Sequence, residues 1–388
     1  MHINREGENC IVDPYCFNRL HYNVPMKIRA RPGQTIIFET RNTTDFNLDP
    51  NVEVEDPRMH DVPGSTVHPL TGPVYIEGAK AGDILAVTIE KVIPGEYGIT
   101  AILPFGLISD LFPNERYQVL WELGEDYAVS EALPGIRIPN AGFPGIVTVL
   151  PDEQLTRTVL DREHQLEQAG GSVSLPLPVN AAPADLCGPD GSHRHECLRT
   201  VPPREHGGNL DIRYLASGAT LYLPCYIDGC GLAIGDVHYA QGDGEVSGTG
   251  IEMDATVVVT TDIVRDRTIR HGAHYEGPST LLDIPSERFY ATTGFPLKAK
   301  GQVPRDMQYL DSPHVADLEN LSKDISLAAR NALIEMLHYL TEMKGLTREQ
   351  AYIVMSVAVD LRIGQVVDAP NSGVSAILPL DIFTEESE

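Results

Sequence analysis

Between Gly235 and Glu252 the chain reads GDVHYAQGDGEVSGTGIE, which packs four carboxylates (Asp236, Asp243, Glu245, Glu252), one histidine and five glycines into 18 residues. Carboxylate oxygens and imidazole nitrogens are the donors that hard and borderline divalent cations take. Asp236 and His238 stand two apart, and on an extended chain residues i and i+2 project from one face. One cation could therefore meet both. Asn209 and Asp211, in RTVPPREHGGNLDIR, repeat the spacing. Two such pairs on neighbouring strands would make a four-ligand cluster of mixed nitrogen and oxygen character, suited to zinc or another divalent ion. Turn-capping aspartates beside a surface histidine produce the same spacing without a metal. A third polar segment, VHPLTGPVYIEGA, contributes His68.

Other groupings carry less. Cys187, His193, His195 and Cys197 lie together in CGPDGSHRHEC, but their spacing matches no common structural zinc pattern. GGSVS at 170–174 is similar to the serine-rich motif of one class of hydrolases, without the lysine context that class needs. Cys225 and Cys230 could serve as thiol nucleophiles, yet free cysteine usually packs as a small buried hydrophobe.

The elements that must position these residues are mostly strands. QTIIFETR, GPVYIEGA, GDILAVTIEKV, ATLYLPCYIDG and TVVVTTDIVRD are short β-branched or alternating runs bounded by Gly and Pro turns. The glycine-rich stretch at 235–252 joins the last two. Residues 151–206 differ. They hold one short polar helix, LTRTVLDREHQLEQA, and then a Pro/Gly-rich excursion of the kind that covers a site or links domains. Helices come late. An apolar stripe runs from Asp317 to Lys344, with Gly345 as its C-terminal cap, and a buried helix follows from a Thr347–Gln350 capping box. A strand-like SAILPL and an acidic EESE tail close the chain. The expected fold is α+β, rich in barrel- or sandwich-like sheets, with a C-terminal helical segment. Its parts are 1–150, the excursion 151–206, and 207–388, read as one intertwined domain.

At 388 residues, 42% hydrophobic and 22% charged, the chain has ample core for one large or two medium domains. A net charge of -26 argues against nucleic acid or an anionic membrane as a partner. No apolar run reaches the roughly 18 residues of a membrane span, and MHINREGENC has no apolar signal-peptide core. Six cysteines without a CxxC are too sparse for a disulfide scaffold, so free thiols and a reducing cytoplasm are expected.

RTVPPREHGGNLDIR followed by GDVHYAQGDGEVSGTGIEM resembles the acetamidase/formamidase family. VHPLTGPVYIEGAKAGDILAVTI and LTREQAYIVMSVAVDLRIGQVVDAPNSGVSAILP extend the likeness in order over most of the chain; residues 151–199 resemble it least. The resemblance implies hydrolysis of short aliphatic amides to carboxylate and ammonia, a β-rich fold, a divalent metal (zinc, or else calcium) and a homo-oligomer of two or more copies. It places Asp211, Asp236 and His238 as metal ligands. Glu245 becomes the general base and then acid, in competition with Asp243 and Glu252. Asn209 is a fourth ligand or an oxyanion donor, and His68 and Glu252 are proton-relay candidates. Arg204 and Gln241 bind substrate, Arg204 having an ion pair with Glu205 as its structural alternative. Ser247 stands where many relatives carry cysteine, which makes a thiol nucleophile dispensable, and Tyr239 replaces a smaller residue. A metal-independent amidase and a binding protein without turnover are the competing readings.

Overall fold

The computed structural model describes residues 1–45, 64–112, 117–168, 173–265, 267–269, 273–304, 307, 314–321, 323–366 and 372–384. The first three residues of GGSVS and the EESE tail lie outside the described residues. The fold is α+β and rich in strand, as the sequence predicts. Its principal strands are β1 (Ile36–Thr40), β2 (Leu70–Ile76), β3 (Ile84–Ala101), β4 (Gln118–Leu123), β5 (Phe143–Thr148) and β6 (Gly207–Asn209). They continue with β7 (Thr220–Pro224), β8 (Cys230–His238), β9 (Glu252–Val264), β10 (Phe289–Gly294), β11 (Asp360–Gln365) and β12 (Gly373–Pro379). The longer helices are α1 (Glu153–Gln168), α2 (Ile325–Lys344) and α3 (Arg348–Ala358). The chain forms two compact units, each assembled from three separate stretches.

The first unit takes in residues 1–96, 142–238 and 252–283. Its axis is β8, CGLAIGDVH, in which every residue is buried. A strand with no polar outer face must be covered on both sides. β5 pairs antiparallel along β8, with Phe143 opposite His238 and Thr148 opposite Ala233. β2 pairs with its first part, and β9 takes over at Val237 and His238. β6 lies outside β5, with Asn209 opposite Ile146. The excursion is folded onto this unit. The Asp152 carboxylate accepts the Leu155 N–H at 2.7 Å and starts α1, whose Leu155, Val159 and Leu160 enter a core with Leu70, Ile146, Leu150 and Ala233. That spacing puts the three on one helix face.

The second unit takes in residues 97–141, 239–251 and 284–388. β10, β12 and β11 form an antiparallel sheet in that order. Gly294 at the end of β10 lets α2 come close, since a Cβ there would stand 2.1 Å from the Ala328 carbonyl oxygen. The helical stripe expected from Asp317 is shorter than the apolar spacing suggests. The Asp324 side chain accepts the Leu327 N–H, so α2 begins at Ile325, and the Leu321 N–H donates to Pro296 instead. An N-cap overrides periodicity because it satisfies a backbone donor that the preceding turn cannot. Gly345 caps α2 at φ 68°, and the Thr347–Gln350 capping box opens α3 as expected.

The cysteine expectation is overturned. Cys10–Cys16, Cys187–Cys197 and Cys225–Cys230 are disulfides and no cysteine is free. Each loop is short, with partners 6, 10 and 5 residues apart, so composition averaged over 388 residues hides the pairing. It also removes Cys225 and Cys230 as thiol nucleophiles. Among the described residues no helix is long and apolar enough to cross a membrane.

Two predictions follow from this packing. Denatured, unreduced protein should show no free thiol in a thiol titration, and reduction should lower stability by roughly 2 kcal/mol or more per bridge. The second concerns His206, which is fully buried with Nδ1 2.9 Å from Thr148 Oγ1. Burial pushes its pKa down to about 3, and Arg204 acts in the same direction. The unfolded chain takes up a proton near pH 6.5 that the folded chain refuses, so this contribution is complete above that pH and is lost as the pH falls toward 3. Unfolding free energy should drop with acidification by an amount on the order of 4 kcal/mol from this group, and His206→Gln should flatten the decline in urea titrations.

Candidate active site

The buried end of β8 gathers titratable side chains. Register sets His238 directly opposite Glu252 of β9, and His238 Nε2 lies 3.1 Å from Glu252 Oε2. Asp236 does not reach His238 by extended i, i+2 geometry. Its backbone is left-handed, φ 53°, within the strand, and its Oδ1 lies 3.7 Å from His238 Nε2. Aspartate tolerates this conformation better than most residues, and such strain gathers at functional sites. Ligand atoms of Asp236, His238 and Glu252 all lie within 4.8 Å of one another, and all three residues are buried.

The second pair arrives by a route the spacing does not reveal. Asn209 and Asp211 are not on a strand adjacent to β8; β5 lies between. Gly145, in the middle of β5, opens the way. Its carbonyl accepts the N–H groups of Leu210 (3.0 Å) and Asp211 (3.3 Å), and Asp211 turns over it at φ 46°. A Cβ on Gly145 would stand 2.5 Å from Asp211 Oδ1 and 3.3 Å from Asp236 Oδ2. Only a residue without a side chain permits this approach. Asp211 and His238 thereby offer ligand atoms within 4.8 Å of each other. His68, ahead of β2, brings Nε2 to 3.8 Å from Asp236 Oδ2. The Phe143 ring meets the His238 ring edge-on at 5.2 Å and forms an apolar wall.

Burial and charge pull against each other here. Burial works to neutralise Asp236, but His68 and His238 win and hold its pKa below the usual carboxylate range. Burial likewise opposes charge on His238, yet Glu252 and Asp236 raise its pKa well above the imidazole value. Glu252 is pushed up by burial and by Asp236, with His238 opposing. Burial lowers the pKa of His68. The donor set fits a divalent cation: carboxylates and one imidazole converge, and Asn209 Oδ1 is a buried acceptor without a hydrogen-bond partner among the described residues.

Arg204 pairs with Glu163 of α1, at 2.7 Å, and donates to the Arg199 carbonyl; Glu205 instead takes a bidentate pair with Arg162. The structure thus corrects the Arg204–Glu205 pairing, because α1 brings its own carboxylate to the buried guanidinium. Gln241, Asp243 and Glu245 belong to the second unit. Gln241 is buried, the Asp243 N–H donates to Asp360 Oδ1, and Glu245 sits at φ 45° in a turn closed by its carbonyl and the Gly248 N–H. Ser247 Oγ donates to the Ala101 carbonyl and Tyr239 Oη to the Gly124 carbonyl, so both hydroxyls are used structurally. In the CGPDGSHRHEC segment the cysteines are bonded to each other. His193 and Glu196 meet His21 there, but the Asn23 N–H donates to His21 Nδ1, which leaves the proton on Nε2, 3.6 Å from Glu196, as an imidazole–carboxylate pair. Gly145 was silent in the spacing argument. Its signal was a glycine inside the apolar run FPGIVT, where a close approach is the usual cause.

Comparison with known proteins bears on this arrangement. A family model described as the acetamidase/formamidase family matches residues 4–385. The chain is 30% identical to a formamidase of Methylophilus methylotrophus, over 96% of this chain and 90% of that one. It is 29% identical to an acetamidase of Mycolicibacterium smegmatis, over 88% and 85%. A solved γ-lactamase from Delftia acidovorans superposes with a TM-score of 0.87 at 27% identity, over 99% of this chain and 94% of that one. With the family model covering nearly every residue that builds the two units, the chain belongs to the acetamidase/formamidase family.

Proposed function

We propose that this protein hydrolyses short aliphatic amides to a carboxylate and ammonia, at the buried end of β8. The observation that carries the reading is the convergence of Asp236, His238 and Glu252, with Asp211 admitted over Gly145. Family membership and the formamidase and acetamidase relatives support it. Cyclic amides are the second substrate class, supported by the likeness to the γ-lactamase.

Asp236, His238 and Asp211 would hold a divalent ion, with zinc favoured by the imidazole and calcium the other candidate; it would supply Lewis acidity and a more acidic bound water. The chain's own groups do the rest. Asp236, kept ionised, sets a negative charge beside the imidazoles of His238 and His68. Glu252 is favoured over Glu245 and Asp243 for moving the proton, since its Oε2 lies within hydrogen-bond distance of His238 Nε2. A carboxylate tuned upward by burial suits both taking a proton and returning it to the leaving amine. Asn209 and His68 are suited to donate to the developing oxyanion. Gln241 and Glu245 keep the substrate-binding and proton-transfer roles implied by family resemblance as competing assignments.

Assembly into a homo-oligomer is part of the same reading, supported by exposed apolar side chains on the second unit's sheet, Phe289 and Ile363 among them. Three disulfides favour an oxidising compartment over the reducing cytoplasm.

The test is ammonia release from formamide, acetamide and a γ-lactam, with elemental analysis of the protein before and after chelation. Chelator-sensitive turnover is the expected result; full turnover by metal-free protein would remove the metal, and no turnover on any amide would leave a binding protein. Glu252→Gln should lower kcat by about 10²-fold or more and Glu245→Gln by less than about tenfold; the reverse order would return the proton to Glu245. Gly145→Ala should cost both metal content and rate, because Asp211 Oδ1 must leave the place a Cβ takes. A Gly145→Ala enzyme with wild-type kcat would show that Asp211 is not needed there.

A further inference from the structure

Thr200 lies between the short strand Leu198–Arg199 and the Pro202–Pro203 turn, and it is fully buried. Leu198–Arg199 is fixed by antiparallel pairing with Arg19–Leu20, and Cys197 just before it by its disulfide to Cys187. Thr200 Oγ1 is therefore held in place from its own side of the chain. It makes two contacts with one residue. It accepts the His68 backbone N–H at 2.6 Å and lies 3.2 Å from His68 Nδ1.

A hydroxyl has one hydrogen and two lone pairs. The backbone N–H of His68 takes one lone pair. If Nδ1 also carried a proton, both contacts would fall on lone pairs and the buried O–H would face no acceptor among the described residues, an arrangement folded proteins avoid. The arrangement that satisfies both partners has Thr200 O–H donating to a bare Nδ1. The neutral ring then carries its proton on Nε2. That nitrogen faces Asp236 Oδ2 at 3.8 Å, too long for a hydrogen bond, so the N–H is not consumed by the carboxylate.

We propose that Thr200 is a positioning residue whose hydroxyl fixes His68 in the Nε2–H tautomer, so that His68 presents a hydrogen-bond donor, not a lone pair, to the carbonyl oxygen of the amide. The proposal rests on the amidase reading for the identity of the acceptor, but the tautomer itself does not. It makes His68 a donor to the oxyanion and excludes ligation of a metal through Nε2. The backbone contact matters as well, because it anchors the same oxygen that sets the ring, and ring and main chain of His68 cannot shift independently.

The experiment compares wild type, Thr200→Ser and Thr200→Val in protein carrying 15N only in histidine, with the His68 ring signals assigned by their loss in His68→Gln. Wild type and Thr200→Ser should show a protonated Nε2 and a bare Nδ1, and their kcat values should agree within about threefold. Thr200→Val should mix the tautomers and lower kcat between about 10-fold and 10³-fold with KM little changed, as loss of an oxyanion donor does. A wild-type ring protonated on Nδ1 would overturn the proposal, as would a Thr200→Val enzyme that keeps both the wild-type signature and the wild-type kcat. Should Thr200→Val fail to fold, the wild-type and Thr200→Ser spectra decide the tautomer. Wild type without turnover on any amide refutes the amidase reading separately, and the ring signals still decide whether Thr200 sets His68.

Discussion

Charge inside the first unit is the constraint on which the rest of the structure depends. Asp236, His238 and Glu252 are each no more than 3% exposed. Taking one such group out of water unpaired costs several kcal/mol, and removing one member of a buried pair leaves the other stranded. The three must therefore be placed together or not at all. The cross-strand register of β8 and β9 supplies one contact and the left-handed turn of the backbone at Asp236 the other. Neither could be adjusted alone, because β8 is also held by β5 and β2 along its length. A sheet with four strands locked in register is a rigid mount, and catalytic groups held on strands are more exactly aimed than groups on loops.

Gly145 shows how far that constraint reaches into residues with no chemistry of their own. Glycine inside a strand weakens it, since it packs nothing and has more conformational freedom to lose. Here both of its neighbours are large and buried by position, Pro144 and Ile146, and its carbonyl is spent on two N–H groups of the Leu210–Asp211 turn. The strand accepts a local loss so that a carboxylate two strands away can approach Asp236. A small-residue gap is worth more to the site than any side chain that could fill it.

Much of this was legible in the sequence, and the part that was not has a physical reason. Alternation and β-branched runs located β1, β2, β3, β7, β9 and β12, and the capping box located α3, because these signals are local; β8, buried on both faces and broken by glycines, was read only as a connection. Asp236, His238, Asp211 and Asn209 were found by donor chemistry and spacing. The extended geometry invoked to join Asp236 with His238 was wrong in detail, since one left-handed residue breaks the two-residue period. The placement of Asn209 and Asp211 one strand further out could not be read, because strand order is a long-range property. The Asp317 start of α2 failed for the opposite reason. The apolar stripe was real, but a single capping side chain at Asp324 decided the boundary.

The cysteines were misjudged, and the cause is local. Average composition treats six cysteines in 388 residues as dilute, whereas pairing depends on local separation, and each bridge here closes a loop of a few residues. Short loops contribute less to stability by restricting the unfolded chain than long ones do. Their value lies in fixing geometry where regular structure is sparse. The Cys187–Cys197 bridge sits in a stretch with little regular secondary structure, and the strand it leads into carries Arg199, whose carbonyl holds Arg204, and is followed by Thr200, whose hydroxyl holds His68. The excursion is thereby tied to Thr200, whose hydroxyl touches His68, a second imidazole beside Asp236. The bridge together with the Leu198–Arg199 pairing holds the end of this segment where Arg204 and His68 need it.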